Sequence, residues 1–323
     1  MVHEATLVNR QQIERMVDSG LPEALNVSME TVYGPYLEGM ALASDVEAGL
    51  ERFLADEYRF LDEVSSDTLV AEFMHLKYDY HNARVVLKRH YFGDSGGERP
   101  FSRLGTVPVD SLQEALERNV PGFPQHLADL LESVKRIVAG GGADPQRVDI
   151  VVDRLFMERR LEIATKEKSD LLVDFSRAAI DVANLRVLLR GLALGKKSDF
   201  YAEALAEGGR LPGDRLLDLS GQPMGTISER LLDSAYGRML TEVFVRGEET
   251  ARLTSLDRAT DEYLLEKVRG FYRVSVGPER IIRFMMTRES EVAMLRIIFM
   301  GKLHEVSPAV IEARLPVQYI KEA

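Results

Sequence analysis

Asp181-Val182-Ala183-Asn184-Leu185-Arg186 decides the fold, because the same pattern stands at Asp79-Tyr80-His81-Asn82-Ala83-Arg84 and, degenerate, at Glu291-Val292-Ala293-Met294-Leu295-Arg296. Upstream of each copy lies a second landmark, Leu50-Glu51-Arg52, Val152-Asp153-Arg154 and Leu256-Asp257-Arg258, with an acid four residues after the arginine at Asp56, Glu158 and Glu262. Arg52, Arg154 and Arg258 are 102 and 104 residues apart, and each precedes the acid of the first pattern by 27, 27 and 33 residues. Further upstream each copy has a helix-start box: Gly20-Leu21-Pro22-Glu23, Ser111-Leu112-Gln113-Glu114 and Thr226-Ile227-Ser228-Glu229. The last two read as capping boxes, which satisfy orphan N–H groups at a helix start.

A pattern recurring in fixed order governs the fold. It divides the chain into three similar units, 1–100, 101–210 and 211–323. From Leu25, Leu116 and Leu231, two residues after those boxes, to the landmark arginine the gaps are 27, 38 and 27 residues, so the excess in the second copy reads as a loop insertion at Gly140-Gly141-Gly142. Leu69, Phe73, Leu76, Tyr80, Ala83, Leu87 and Tyr91 recur at steps of three or four, the stripe of an amphipathic helix. Leu172, Phe175, Ala179 and Val182 repeat it in the second copy. Sustained two-residue alternation is hard to find, so the chain reads as all-α. Glycine and proline clusters at 93–97, 140–145, 208–213 and 220–225 punctuate the helices. Ser307-Pro308 starts a final helix. A solenoid of short helical hairpins would repeat every 34–47 residues, so a general helical scaffold or adaptor is the weaker alternative.

The 323 residues carry 52 acids against 41 Lys and Arg, a formal charge of −11, and no cysteine. That acidic balance argues against binding nucleic acid or anionic lipid, which calls for an excess of clustered Lys and Arg, and no disulfide can form. Residues 266–302 are locally basic and suggest a docking face for an acidic protein. No apolar run approaches the ~20 residues of a membrane-spanning helix.

On a helix, positions i and i+3 share a face and i+5 lies about 140° away, so Asp79 and Asn82 act together while Arg84 needs another partner. The structural reading is that Asp and Asn cap or bridge a loop while the arginine pairs with an acid on the other helix of its own unit. The alternative is that Asp79, Asn82, Arg84, Asp181, Asn184, Arg186, Glu291 and Arg296, with Arg52, Arg154 and Arg258, line a partner surface. Gly191-Leu192-Ala193-Leu194-Gly195-Lys196-Lys197-Ser198 fails as a phosphate loop in spacing and reads as a helix C-terminus. His75, Asp79 and His81 do not converge as a metal site. No nucleophile elbow is present, so no catalytic residue, metal or cofactor is expected. Met285, Met286, Met294 and Met300 read first as core filling, with an adaptable protein-binding face as the alternative.

Several passages carry a family resemblance over essentially the whole chain: Glu30-Thr31-Val32-Tyr33-Gly34-Pro35-Tyr36-Leu37, Asp79-Tyr80-His81-Asn82, Asp181 to Arg186, and Leu295-Arg296-Ile297-Ile298-Phe299-Met300-Gly301-Lys302. The chain resembles the C subunit of V/A-type rotary ATP synthases, related to the d subunit of eukaryotic V-ATPases. The resemblance implies a funnel of three helical domains around a pseudo-three-fold axis, without ATPase activity. It would stand between the membrane proteolipid ring and a central shaft made of the D and F subunits, serving proton or sodium transport from the cytoplasmic side. The chain departs from that family in two places. Only about 20 residues precede the first box, so a shortened first unit is expected, and Met294 replaces the asparagine of the third copy.

Overall fold

The computed structural model describes residues 7–39, 43–65, 68–93, 101–140, 144–244, 249–274 and 277–316, and every regular element among them is helical. The first copy contains α1 (Arg10–Asp18), α2 (Leu21–Met29), α3 (Gly34–Leu37), α4 (Ala43–Val64) and α5 (Thr68–Phe92). The second contains α6 (Val109–Glu117), α7 (Gln125–Ala139), α8 (Pro145–Lys166), α9 (Asp170–Ala193) and α10 (Ser198–Ala204). The third contains α11 (Gly213–Leu219), α12 (Met224–Arg230), α13 (Gly237–Phe244), α14 (Glu249–Gly270), α15 (Pro278–Leu303) and α16 (Pro308–Arg314), with a 3-10 turn at Phe271–Arg273.

The helices gather into two compact units, one of residues 1–68 with 271–323 and the other of residues 69–270. In the first, α15 lies along α4, and α16 packs on both α1 and α15. Leu50, Phe53 and Leu61 of α4 and Val292, Leu295 and Ile298 of α15 are buried there. In the second, α9 is the central helix and lies against both α8 and α14. Its buried face includes Phe175, Ala179, Val182, Leu185 and Leu189, at helical spacing.

Helix starts correct one element of the sequence reading. Gly20 and Pro22 do open α2. Ser111 and Thr226 instead lie inside α6 and α12, whose N-cap positions are Pro108 and Pro223 with no side-chain cap bond. Both helices begin two residues before the Ser or Thr, so Ser111 and Thr226 stand at the third helical position, where they cannot serve as N-cap. Moreover, α6 is the first helix of its copy, whereas α2 and α12 are second helices. Measured from the first helix, Arg10 to Arg52 spans 42 residues, Val109 to Arg154 spans 45 and Gly213 to Arg258 spans 45. The apparent insertion in the second copy thus came from matching unlike helices; Gly141 and Gly142 lie outside the described residues. α9 ends where the false phosphate loop stands, with Gly195 left-handed at φ +63° and its N–H bonded to Leu192 O. Met285 and Met294 are fully buried core residues, while Met286 and Met300 are half-buried.

Candidate functional site

The acid of each copied pattern is buried and holds the chain where the next copy begins. Asp79 accepts the N–H groups of Thr106 (2.7 Å) and Val107 (3.0 Å) and the Thr106 hydroxyl (2.8 Å). Asp181 accepts the N–H groups of Arg210 (2.9 Å) and Leu211 (3.0 Å) and the hydroxyl of Tyr236 (2.6 Å). Glu291 accepts the N–H of Val8 (2.6 Å) and the hydroxyl of Tyr33 (3.0 Å). Val107, Leu211 and Val8 are equivalent: each directly precedes the N-cap residue of a first helix, Pro108, Pro212 and Asn9. The third copy therefore fastens the start of the first.

Asparagine completes the clasp in two copies. Asn82 donates to Ser102 O and accepts from Ser102 N (2.9 and 2.8 Å), and Asn184 does the same with Ala206 (2.9 Å for both). A side-chain amide that pairs both polar groups of one residue replaces the backbone partner a loop otherwise lacks. In the third copy Met294 is fully buried, and charge takes over: Arg288 donates to Glu291 (2.9 Å), both side chains being 1% exposed, and lies 3.8 Å from Glu57.

Close approach at two clasps requires glycine. A Cβ at Gly105 would stand 2.9 Å from an Asp79 oxygen, and one at Gly209 would collide with the Asp181 carboxylate. Burial raises the carboxyl pKa of Asp181 and Glu291 above 3.8 and 4.5, against the hydrogen bonds, which pull downward. The Tyr236 hydroxyl is pushed upward by burial first and by Asp181 beside it, so it stays a proton donor.

Each repeated arginine crosses to the second-landmark helix of the following copy, which differs from the expected pairing inside its own unit. Arg84 pairs with Asp153 and, at 3.6 Å, Asp149. Arg186 reaches Asp261 (2.6 Å), Asp257 (3.5 Å) and the Thr260 hydroxyl (2.9 Å). Arg296 makes two bonds to Glu47, at 2.6 and 2.7 Å. Adjacent long helices thereby meet through a charged seam.

Arg52, Arg154 and Arg258 do not act alike. Arg258 pairs with Glu262 one turn on (3.2 Å). Arg52 donates instead to Tyr36 O (3.3 Å) and Arg154 to Glu203 O (3.2 Å). The acids four residues on have other partners: Asp56 accepts from the Tyr36 hydroxyl and Glu158 from Glu207 N. His75 Nδ1 lies 2.6 Å from Leu104 O, so this histidine supports the same connecting segment that Asp79 holds.

Sequence reading missed the tyrosines. Thr31-Val32-Tyr33-Gly34 and Ser234-Ala235-Tyr236-Gly237 are matching turns: the hydroxyls of Thr31 and Ser234 bond Ser28 O and Leu231 O, and each accepts from the tyrosine N–H at 3.2 Å. The pattern Ser/Thr-x-Tyr-Gly was legible. Its meaning was not, because each hydroxyl ends on a carboxylate 258 or 55 residues away.

The seam arginines are only partly covered, with side chains 31%, 28% and 41% exposed for Arg84, Arg186 and Arg296. Solvent-screened pairs contribute ~0–1 kcal/mol, so Arg84→Ala should lower the unfolding free energy by less than about 1 kcal/mol. A urea titration giving a loss above about 2 kcal/mol would show that the seam, rather than the clasp, dominates.

A model of the family described as ATP synthase (C/AC39) subunit matches residues 2–314. The C subunit of the V-type sodium ATPase of Enterococcus hirae is 24% identical, over 97% of this chain and 94% of the relative. The C subunit of the A-type ATP synthase of Methanocaldococcus jannaschii is 27% identical, over 97% and 83%. The corresponding protein of Halorubrum lacusprofundi is 25% identical, over 96% and 93%.

Proposed function

Because the chain belongs to the ATP synthase (C/AC39) subunit family, and so is a non-catalytic part of a V/A-type rotary ATPase, we propose that it couples the central shaft to the membrane proteolipid ring. In this reading three units, 1–100, 101–210 and 211–323, surround a pseudo-three-fold axis as a funnel. The D and F subunits of the shaft enter one side and the ring abuts the other. The chain is held at the cytoplasmic face of the membrane by protein partners, and no described helix is long and apolar enough to cross a membrane.

One observation carries the reading: the three carboxylate clasps follow a cyclic order, the first copy holding the second, the second the third, and the third the first. Such a cyclic order of clasps along the chain supports the reading of a part that transmits torque. A stable contact on either side needs at least ~1,000 Å² of total buried surface.

Vesicles rebuilt with the rotary ATPase with and without this chain test the proposal. Without it, ATP turnover should continue while ion pumping falls to background, because the motor and ring lose their mechanical link. Pumping at the full rate in its absence would refute the assignment.

A further inference from the structure

Two of the three seams carry a second cation one turn after the bridging arginine. Lys88, four residues after Arg84, lies 3.3 Å from Asp149, and Arg190, four after Arg186, lies 2.7 Å from Asp257. The residue four after Arg296 is Met300. Helix α15 buries Met294, Leu295, Ile298 and Phe299, yet it also carries Ile297 and Met300 on a second face that is only half-covered. Gly301 lets α16 come close, since a Cβ there would lie 2.7 Å from Ile311 Cγ1.

Between α15 and α16 a groove of about 260 Å³ remains open. Ile297, Met300, Val306 and Ile311 supply its apolar lining, and its ionisable lining is Arg296, His304 and Arg314, with no acid. Arg296 is committed to Glu47. Arg314 is exposed and has no acid partner among the described residues. An apolar floor with a cation at its rim that pairs with no described acid selects an aliphatic segment bearing a carboxylate, because the carboxylate gains a charge-assisted bond while the aliphatic part is buried. Met300 adapts its shape to whatever side chain enters.

We propose that this groove seats an aliphatic, carboxylate-bearing segment of another subunit of the same rotary complex. The proposal rests on the family assignment and not on the coupling role. Val310, one turn before Arg314 on α16 and 44% exposed, is the place for a photo-activatable benzophenone residue in the assembled complex. Irradiation should join it to one peptide of another subunit with Asp or Glu within a turn or two of Leu, Ile, Val or Met.

Arg314→Glu should cut the cross-link yield at least about tenfold, as expected for one lost charge-assisted bond, and Arg314→Lys should retain most of it. Met300→Asp should give a similar loss while Arg314 is intact. If either variant keeps the wild-type melting temperature but no longer enters the complex, that also supports the proposal. Wild-type yield from both, or cross-links only to a second copy of this chain, would overturn it. A cross-link to a stationary subunit would uphold the groove and overturn the coupling role instead.

Discussion

Asp181→Ala should lower the unfolding free energy by roughly 3–5 kcal/mol, because three donors lose their acceptor at once. The N–H groups of Arg210 and Leu211 and the hydroxyl of Tyr236 all end on this carboxylate, which is fully buried. Asp181→Asn should cost less, since an amide oxygen still serves some of these donors but the amide nitrogen serves none. Gly209→Ala should approach the Asp181→Ala loss, because its Cβ would occupy the space of the same carboxylate. Urea unfolding at neutral pH checks this; a loss below about 1 kcal/mol for Asp181→Ala would mean that the clasp is not a main source of stability.

The second large effect is expected from Arg288→Ala, with a dependence on pH. Removing this buried guanidinium takes away the cation between Glu291 and Glu57 and should cost roughly 3–5 kcal/mol near pH 7.5. Burial already holds the Glu291 carboxyl above its usual 4.5, and losing Arg288, which lowers it, must raise it further. A carboxyl with a raised pKa binds its proton more tightly when folded. Its effect on stability therefore becomes less favourable as pH rises through that pKa, and it recovers as pH falls and the proton is taken up. The loss in Arg288→Ala should accordingly shrink at pH 5. Urea midpoints at the two pH values decide it, and equal losses would show that Glu291 does not respond to its partner.

Much of this architecture was legible because it rests on local patterns. Apolar residues at helical spacing identified α5 and α9, and the proline at Pro308 marked the start of α16. Asp79-x-x-Asn82 and Asp181-x-x-Asn184 were legible as pairs because two positions three apart share one helix face. Their partners were not, since Ser102, Thr106, Ala206 and Arg210 lie in irregular connections whose backbone offers no side-chain pattern. The seam partners were hidden for another reason. Arg84 has several acids within helical reach of its own copy, and only helix packing decides that Asp153 is the one it meets. Glu291 shows a substitution that pattern matching cannot follow: Met294 removes the amide, and Arg288 and Tyr33 secure the same carboxylate by other means.

The bond from Val8 to Glu291 spans 283 positions of chain, and α4 finds its main partner in α15. On the ribosome, α4 must therefore wait, without its main partner, until the last large helix has been made. At ~5–20 residues per second the delay is roughly 10–50 s, long enough for exposed apolar surface to attract chaperones or other nascent chains. Residues 69–270 face no such interval, because their partners emerge in succession. Newly made protein should therefore pass through a stage with a settled middle and unsettled flanks, in which a protease cleaves near α4 while α8 and α9 are already protected.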